Sequence, residues 1–182
     1  MKLHLQISLG ILASMNELDE AWSQMLEGAI ADAEASGRGD VAEYLALKQS
    51  NDAIRQTSVE WLFNSFIEIA SEAGRDNAYI IIEREEPHEF EFNHARMAGS
   101  LIRVRFGVRC LTVEAGWTRT PAHGFMRGGA LAAARIAHFG RPKLDVELRL
   151  VRQGEVPAWS SQSGGVFDSQ NLREHFELLL EN

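Results

Sequence analysis

The stretch SLIRVRFGVRCLTVE, residues 100–114, decides the fold class of this chain. Ile102 and Val104 alternate with Leu101, Arg103 and Arg105, which is the two-residue period of a half-buried strand. Gly107 interrupts the run as a bulge or a turn, so residues 100–114 read as two strands or as one long bent strand. If the strand runs through Gly107 without slipping, Ile102, Val104, Phe106, Val108 and Cys110 share one face. Leu101, Arg103, Arg105, Arg109 and Leu111 then share the other.

Working outward, the same period recurs on both sides. Ile80 and Ile82 alternate with Ile81, Glu83 and Glu85, and Phe90 and Phe92 alternate with Glu89 and Glu91. Leu144, Val146, Leu148 and Leu150 alternate with Asp145, Glu147 and Arg149, a further strand. Residues 130–139 stay open between helix, which the alanines favour, and strand, which the neighbours favour. After Gly164-Gly165 a short helix is expected, capped by Asp168 or Ser169, with Leu172, Phe176 and Leu179 inward and Arg173 paired with Glu177.

Toward the N-terminus the period changes to that of helices. Residues 2–9 alternate like a strand, although Leu3, Ile7, Ile11 and Met15 also suit a helix. Ser14–Glu17 reads as a capping box, followed by the stripe Met15, Leu18, Trp22, Met25, Ala29 and Ala33 and a stop before Gly37. Asp40–Glu43 opens a second helix that Ser50-Asn51-Asp52 interrupts, Thr57–Glu60 opens a third, and Gly74 supplies its C′ residue. Trp22, Trp61, Phe63 and Phe66 are the expected packing anchors. Helices grouped first and strands later describe an α+β fold: an N-terminal helical segment (14–74) packed on a largely antiparallel sheet (77–162), then a short C-terminal helix (168–180), in one domain over 1–182.

A chain of 182 residues buries about 70% of its unfolded surface, enough for a core without staples. Cys110 is the one cysteine, which rules out an intrachain disulfide and a cysteine-rich zinc module. No segment approaches the roughly 18 unbroken apolar residues of a membrane span, and residues 1–13 lack the run and cleavage site of a signal peptide. A cytoplasmic protein with no membrane association is expected. The net charge of −8 is asymmetric, since residues 1–94 carry −12 and residues 95–182 carry +4. Such a split marks an acidic partner-facing part and a basic anion-facing part, or two halves that neutralise each other.

The run from Glu83 to His94 gathers carboxylates and two histidines, but it contains neither H-E-x-x-H nor a calcium loop and reads as a solvated strand face; no metal site is expected. The arginines carry more chemistry. Arg103, Arg105 and Arg109 at strand spacing offer bidentate contacts to phosphate or carboxylate. The competing and favoured reading pairs them across strands with Glu83, Glu85, Asp145 and Glu147. In the loop 117–129, Arg127 beside Gly128 and Gly129 suits a small anion-binding site, because glycines let backbone approach a ligand. His123 is the one weak candidate for an acid or base, whereas His138 reads as a packed histidine and Cys110 as an inert core thiol. No established catalytic constellation is present and no cofactor is implied.

The sequence therefore leans toward a non-catalytic protein that binds a partner or an anionic ligand, with a protein partner or a homo-oligomer expected and nucleic acid as a further ligand class. One alternative is an enzyme on nucleic acid or a phosphorylated small molecule, with Arg103, Arg105, Arg109 and Arg127 holding phosphate beside His123. The other is a nucleic-acid-binding module without chemistry.

Overall fold

The structure, a computed structural model, describes residues 9–76, 79–154 and 156–181. Two helices, α1 (Leu9–Ala35) and α2 (Gly39–Asp76), precede strands β1 (Ile80–Phe92), β2 (Ala95–Phe106), β3 (Arg109–Trp117), β4 (Ala132–His138), β5 (Val146–Gln153) and β6 (Val156–Ser161), and α3 (Ser169–Leu180) follows. All six strands form one antiparallel meander in sequence order. The fold is α+β. The strand-like stretch 2–9 lies outside the described residues except for Leu9, which begins α1.

The helices are longer than the sequence predicts. Ser14 lies inside α1, and α2 runs unbroken through Ser50, Asn51, Asp52 and Thr57 and past Gly74. The reason is visible at Asp52. Its carboxylate accepts from Lys48 Nζ (3.1 Å) and Arg55 (2.6 Å), so it supports the helix instead of capping a new one.

The chain divides into two compact units, Ser8–Gln56 and a second that contains Thr57–Asn182. In the first, Leu26, Ala33 and Ala42 are buried, Gln49 bonds Glu27 (3.5 Å), and Lys48 stands over the Trp22 ring at 4.9 Å. Trp22 itself is 46% exposed, so it is not the packing anchor the sequence suggests.

In the second unit, the end of α2 and α3 cover one face of the sheet. Val59, Leu62, Phe63, Phe66 and Ala70 are buried, whereas Trp61, turned from that stripe, is 40% exposed. Phe66 meets Phe176 edge-on at 6.2 Å, and Trp159 Nε1 donates to the Ser58 carbonyl (3.1 Å). The register places Ile102, Val104, Leu111, Val113, Ala115, Ala134, Ile136 and Leu148 on this face, all fully buried. Residues 132–138 are a strand because β3 and β5 supply partners on both sides, and their alanines leave room beneath the helices. Asp168 caps α3 through Gln170 and Asn171 N–H groups, and Arg173 reaches Glu72 (3.5 Å) where the sequence pairs it with Glu177.

Two local devices shape the other, open face. Gly107, with φ 61°, makes a two-residue hairpin turn, with Phe106 paired to Arg109. The turn restarts the alternation, so Cys110 and Thr112 join Arg103 and Arg105, while Arg109 joins Leu111 on the covered face. Farther along, Gly99 faces Gly116 across β2 and β3. A Cβ on Gly99 would lie 1.9 Å from the Ala115 carbonyl oxygen, and one on Gly116 would lie 2.6 Å from that of Ala98. The sheet curls sharply here because neither residue has a side chain. The curl, with the register shift between Glu85 and His88, carries the end of β1 over the open face. Phe90, Phe92, Ala95, Met97 and Ala133 form a small second core there, with Met126 against it.

Candidate anion-binding surface

Strand register and the curl together decide where each expected site residue goes. Arg103 and Arg105 project from the open face at the turn end of β2 and are paired across the strand, Arg103 with Glu85 (2.8 Å) and Arg105 with Glu83 (3.2 Å). The favoured reading of the stripe is what the structure contains. Arg103, with His88 second, holds the Glu85 carboxyl below the usual carboxylate range.

The pairing continues across the sheet. His88 bridges Glu85 (3.3 Å) and Glu114 (2.9 Å), Arg135 joins Glu114 (2.9 Å) to Glu147 (3.4 Å) and to the Glu91 carbonyl (3.1 Å), and Gln162 reaches Glu147 (2.7 Å). The run from Glu83 to His94 is thus part of this network, not a separate cluster. Among the described residues no three His, Cys, Asp or Glu groups stand together as metal ligands.

Arg109, expected beside Arg103 and Arg105, turns to the covered face. There it donates to the carbonyls of Leu179 (3.1 Å) and Glu181, and Arg141 donates to that of Leu178 (3.1 Å). Two guanidiniums therefore satisfy the unpaired carbonyls at the C-terminus of α3, where the helix dipole favours positive charge.

A cleft of about 570 Å³ opens at the turn end of the face, lined by Arg103, Arg105, Cys110 and Thr112, with Val108, Arg109, His138 and Phe139 at its edge. Its volume suits a small ligand. Its two open-face arginines each have a carboxylate partner, so the charge they present is balanced. Cys110 sits half-buried on the cleft wall and not in the core.

At the opposite end of β2 lies a much smaller nook of about 10 Å³, room for one water, between Phe92, Asn93, Met97, Phe125, Met126, Ala130, Arg127 and Arg149. Asn93 and His94, with φ 50° and 67°, turn β1 into β2 beside it. Arg149 lies over the Phe92 ring at 6.0 Å. Neither Arg127 nor Arg149 has a carboxylate or carbonyl acceptor among the described residues, whereas Arg84, Arg96, Arg103, Arg105, Arg109, Arg135 and Arg141 each have one. Phe125, between them in the lining, is 82% exposed. Gly128 and Gly129, both at φ 69°, form a turn beside Arg127 with nothing within 4 Å of a Cβ at either. Their role is to hold the loop in a left-handed conformation, which L side chains resist. The sequence counts Arg149 with Arg127 among the cations of a second-half polyanion surface, but does not bring the two together in one site. Arg149 is adjacent only because β5 sits two strands from β3 and the curl brings Phe92 over it.

His123 is not brought to either place. It ends a turn at Pro121–His123, its Nδ1 accepts the Arg119 N–H (3.2 Å), and it lines neither the cleft nor the nook. His138 is packed as expected, 5% exposed, with a partner the sequence does not reveal: its Nε2 stands 3.0 Å from His175 Nδ1 of α3. Burial pushes both imidazoles below the ordinary histidine range, and for His138 the nearby His175 adds to the shift. No helix among the described residues is long and apolar enough to cross a membrane. Comparison with protein-family models, curated proteins and solved structures finds no significant match to the chain.

Proposed function

We propose that this chain is a binding protein without chemistry of its own, and that Arg127 and Arg149 receive, at the protein surface, an anionic group whose apolar neighbour rests on Phe125 and Met126. The observation that carries the reading is the contrast among the arginines: those two lack an acceptor, and they line one nook. An unpaired guanidinium offers a planar fork of donors that fits a carboxylate or phosphate bidentately. The apolar floor adds area that a free inorganic ion cannot use, so the favoured ligand is an amphipathic anion, such as an acidic residue beside an aromatic one. The non-catalytic part of the reading rests on proton chemistry. Arginine stays charged at every accessible pH, and no acid, base or nucleophile lines the nook.

The test is an amide NMR titration with N-acetyl-phenylalanine as the carboxylate, alongside its uncharged amide. The carboxylate should shift residues 125–130, the amide should not, and the combined Arg127→Ala, Arg149→Ala variant should lose the response. Shifts elsewhere, or shifts that survive the double substitution, would refute the assignment.

A further inference from the structure

We infer that one face of the Ser8–Gln56 hairpin docks a cationic amphipathic helix of another protein. Five apolar side chains stand exposed on it: Trp22 (46%) and Met25 (67%) from α1, Val41 (36%), Tyr44 (65%) and Leu47 (54%) from α2. On α1, Trp22 and Met25 lie to one side of the buried stripe Leu26 and Ala33, three residues apart. On α2, Val41 and Tyr44 lie to one side of buried Ala42, and Leu47 lies farther round the helix, about 120° from Val41. The contact of Lys48 with the Trp22 ring shows that the two exposed flanks belong to the same side of the hairpin. Trp22, Met25, Val41 and Tyr44, with Leu47 at the edge, offer an apolar surface of the kind that the ridge of an amphipathic helix packs on.

Charge selects the occupant. Residues 8–56 hold nine Asp and Glu against three Lys and Arg. Of those three cations, Lys48 and Arg55 are bound to Asp52. The hairpin therefore presents a negative field that attracts a basic helix and repels a second copy of itself.

The experiment uses the full chain and a dye-labelled 18-residue peptide of leucine and lysine with leucines at helical spacing, followed by fluorescence anisotropy. Binding should weaken about 30-fold in the Tyr44→Ala, Leu47→Ala double variant, because two anchors are truncated. It should be unchanged in Trp61→Ala, an exposed aromatic of the other unit, and absent for a peptide with glutamate in place of lysine. Circular dichroism of the double variant should match the parent, since both residues are exposed. Equal binding of the glutamate peptide, or parent-like binding by the double variant, would overturn the proposal. A dimer in sedimentation that the double substitution dissolves would overturn it in favour of self-association.

Discussion

Replacing Gly99 by alanine separates two opposed expectations. Gly99 has no left-handed φ, so conformational entropy alone predicts that alanine stabilises the protein by about 0.4–1 kcal/mol through the unfolded chain. The tertiary structure predicts the reverse. The new Cβ would stand 1.9 Å from the Ala115 oxygen, 2.6 Å from Gly116 Cα and 2.8 Å from the Ala115 carbonyl carbon, whereas real Cβ contacts essentially never fall below 3.0 Å. All three neighbours are backbone, so no side chain can rotate away and the strands must part by more than 1 Å. Overpacking costs about 1–3 kcal/mol, and each ladder hydrogen bond lost adds about 1 kcal/mol. The net effect is a destabilisation of about 2–4 kcal/mol, which lowers a urea midpoint by roughly 1–2 M at an m-value near 2 kcal/mol/M. Gly28→Ala is the matched control, because its Cβ meets nothing within 4 Å in the middle of α1. It should stabilise by up to about 1 kcal/mol through helix propensity. Urea unfolding of the two variants decides the matter. If Gly99→Ala left the midpoint unchanged or raised it, the sharp curl between β2 and β3 would be wrong. So would the placement of Phe92 under Arg149 that depends on it.

Three further outcomes follow from particular contacts. His138 and His175 have folded pKa values below the ordinary one, so the unfolded chain takes up protons first as pH falls; stability is full above about 6.5 and declines below it. Thermal melts from pH 8 to 5 should show the decline, and His175→Gln should flatten it; an unchanged slope would remove the histidine pair as its source. Arg109→Ala should cost about 1 kcal/mol by freeing the last carbonyls of α3, and faster amide exchange confined to α3 is the signature to measure. Arg103→Ala should change stability by less than about 1 kcal/mol, since the ion pair is solvent-exposed, yet raise the Glu85 pKa; an NMR titration in which Glu85 stays put would show that His88 alone sets it.

The alternation on either side of Pro87 and over 146–150, the α3 cap at Asp168 and the inward trio Leu172, Phe176 and Leu179 were legible in the sequence, because each rests on local periodicity or a local side-chain bond. So was the pairing of Arg103 and Arg105 with Glu85 and Glu83, since opposite charges on facing strands need only the right parity. What local pattern could not supply was phase and distance. One turn at Gly107 moved Cys110 and Arg109 to the faces opposite those a continuous strand predicts. The unbroken α2 depended on Asp52 finding two cations one turn away in each direction, which a capping pattern does not weigh. The nook was beyond reach for the same reason. Arg127 and Arg149 are 22 positions apart, and only a sheet bent at two facing glycines sets them around Phe92. Sequence by itself determined the order of helical and strand segments outside residues 130–139, and the apolar side of the strands that no turn interrupts, because those follow from neighbours along the chain. Tertiary structure alone decided which guanidiniums are left without partners, because that depends on how far a curved sheet brings residues that are distant in sequence.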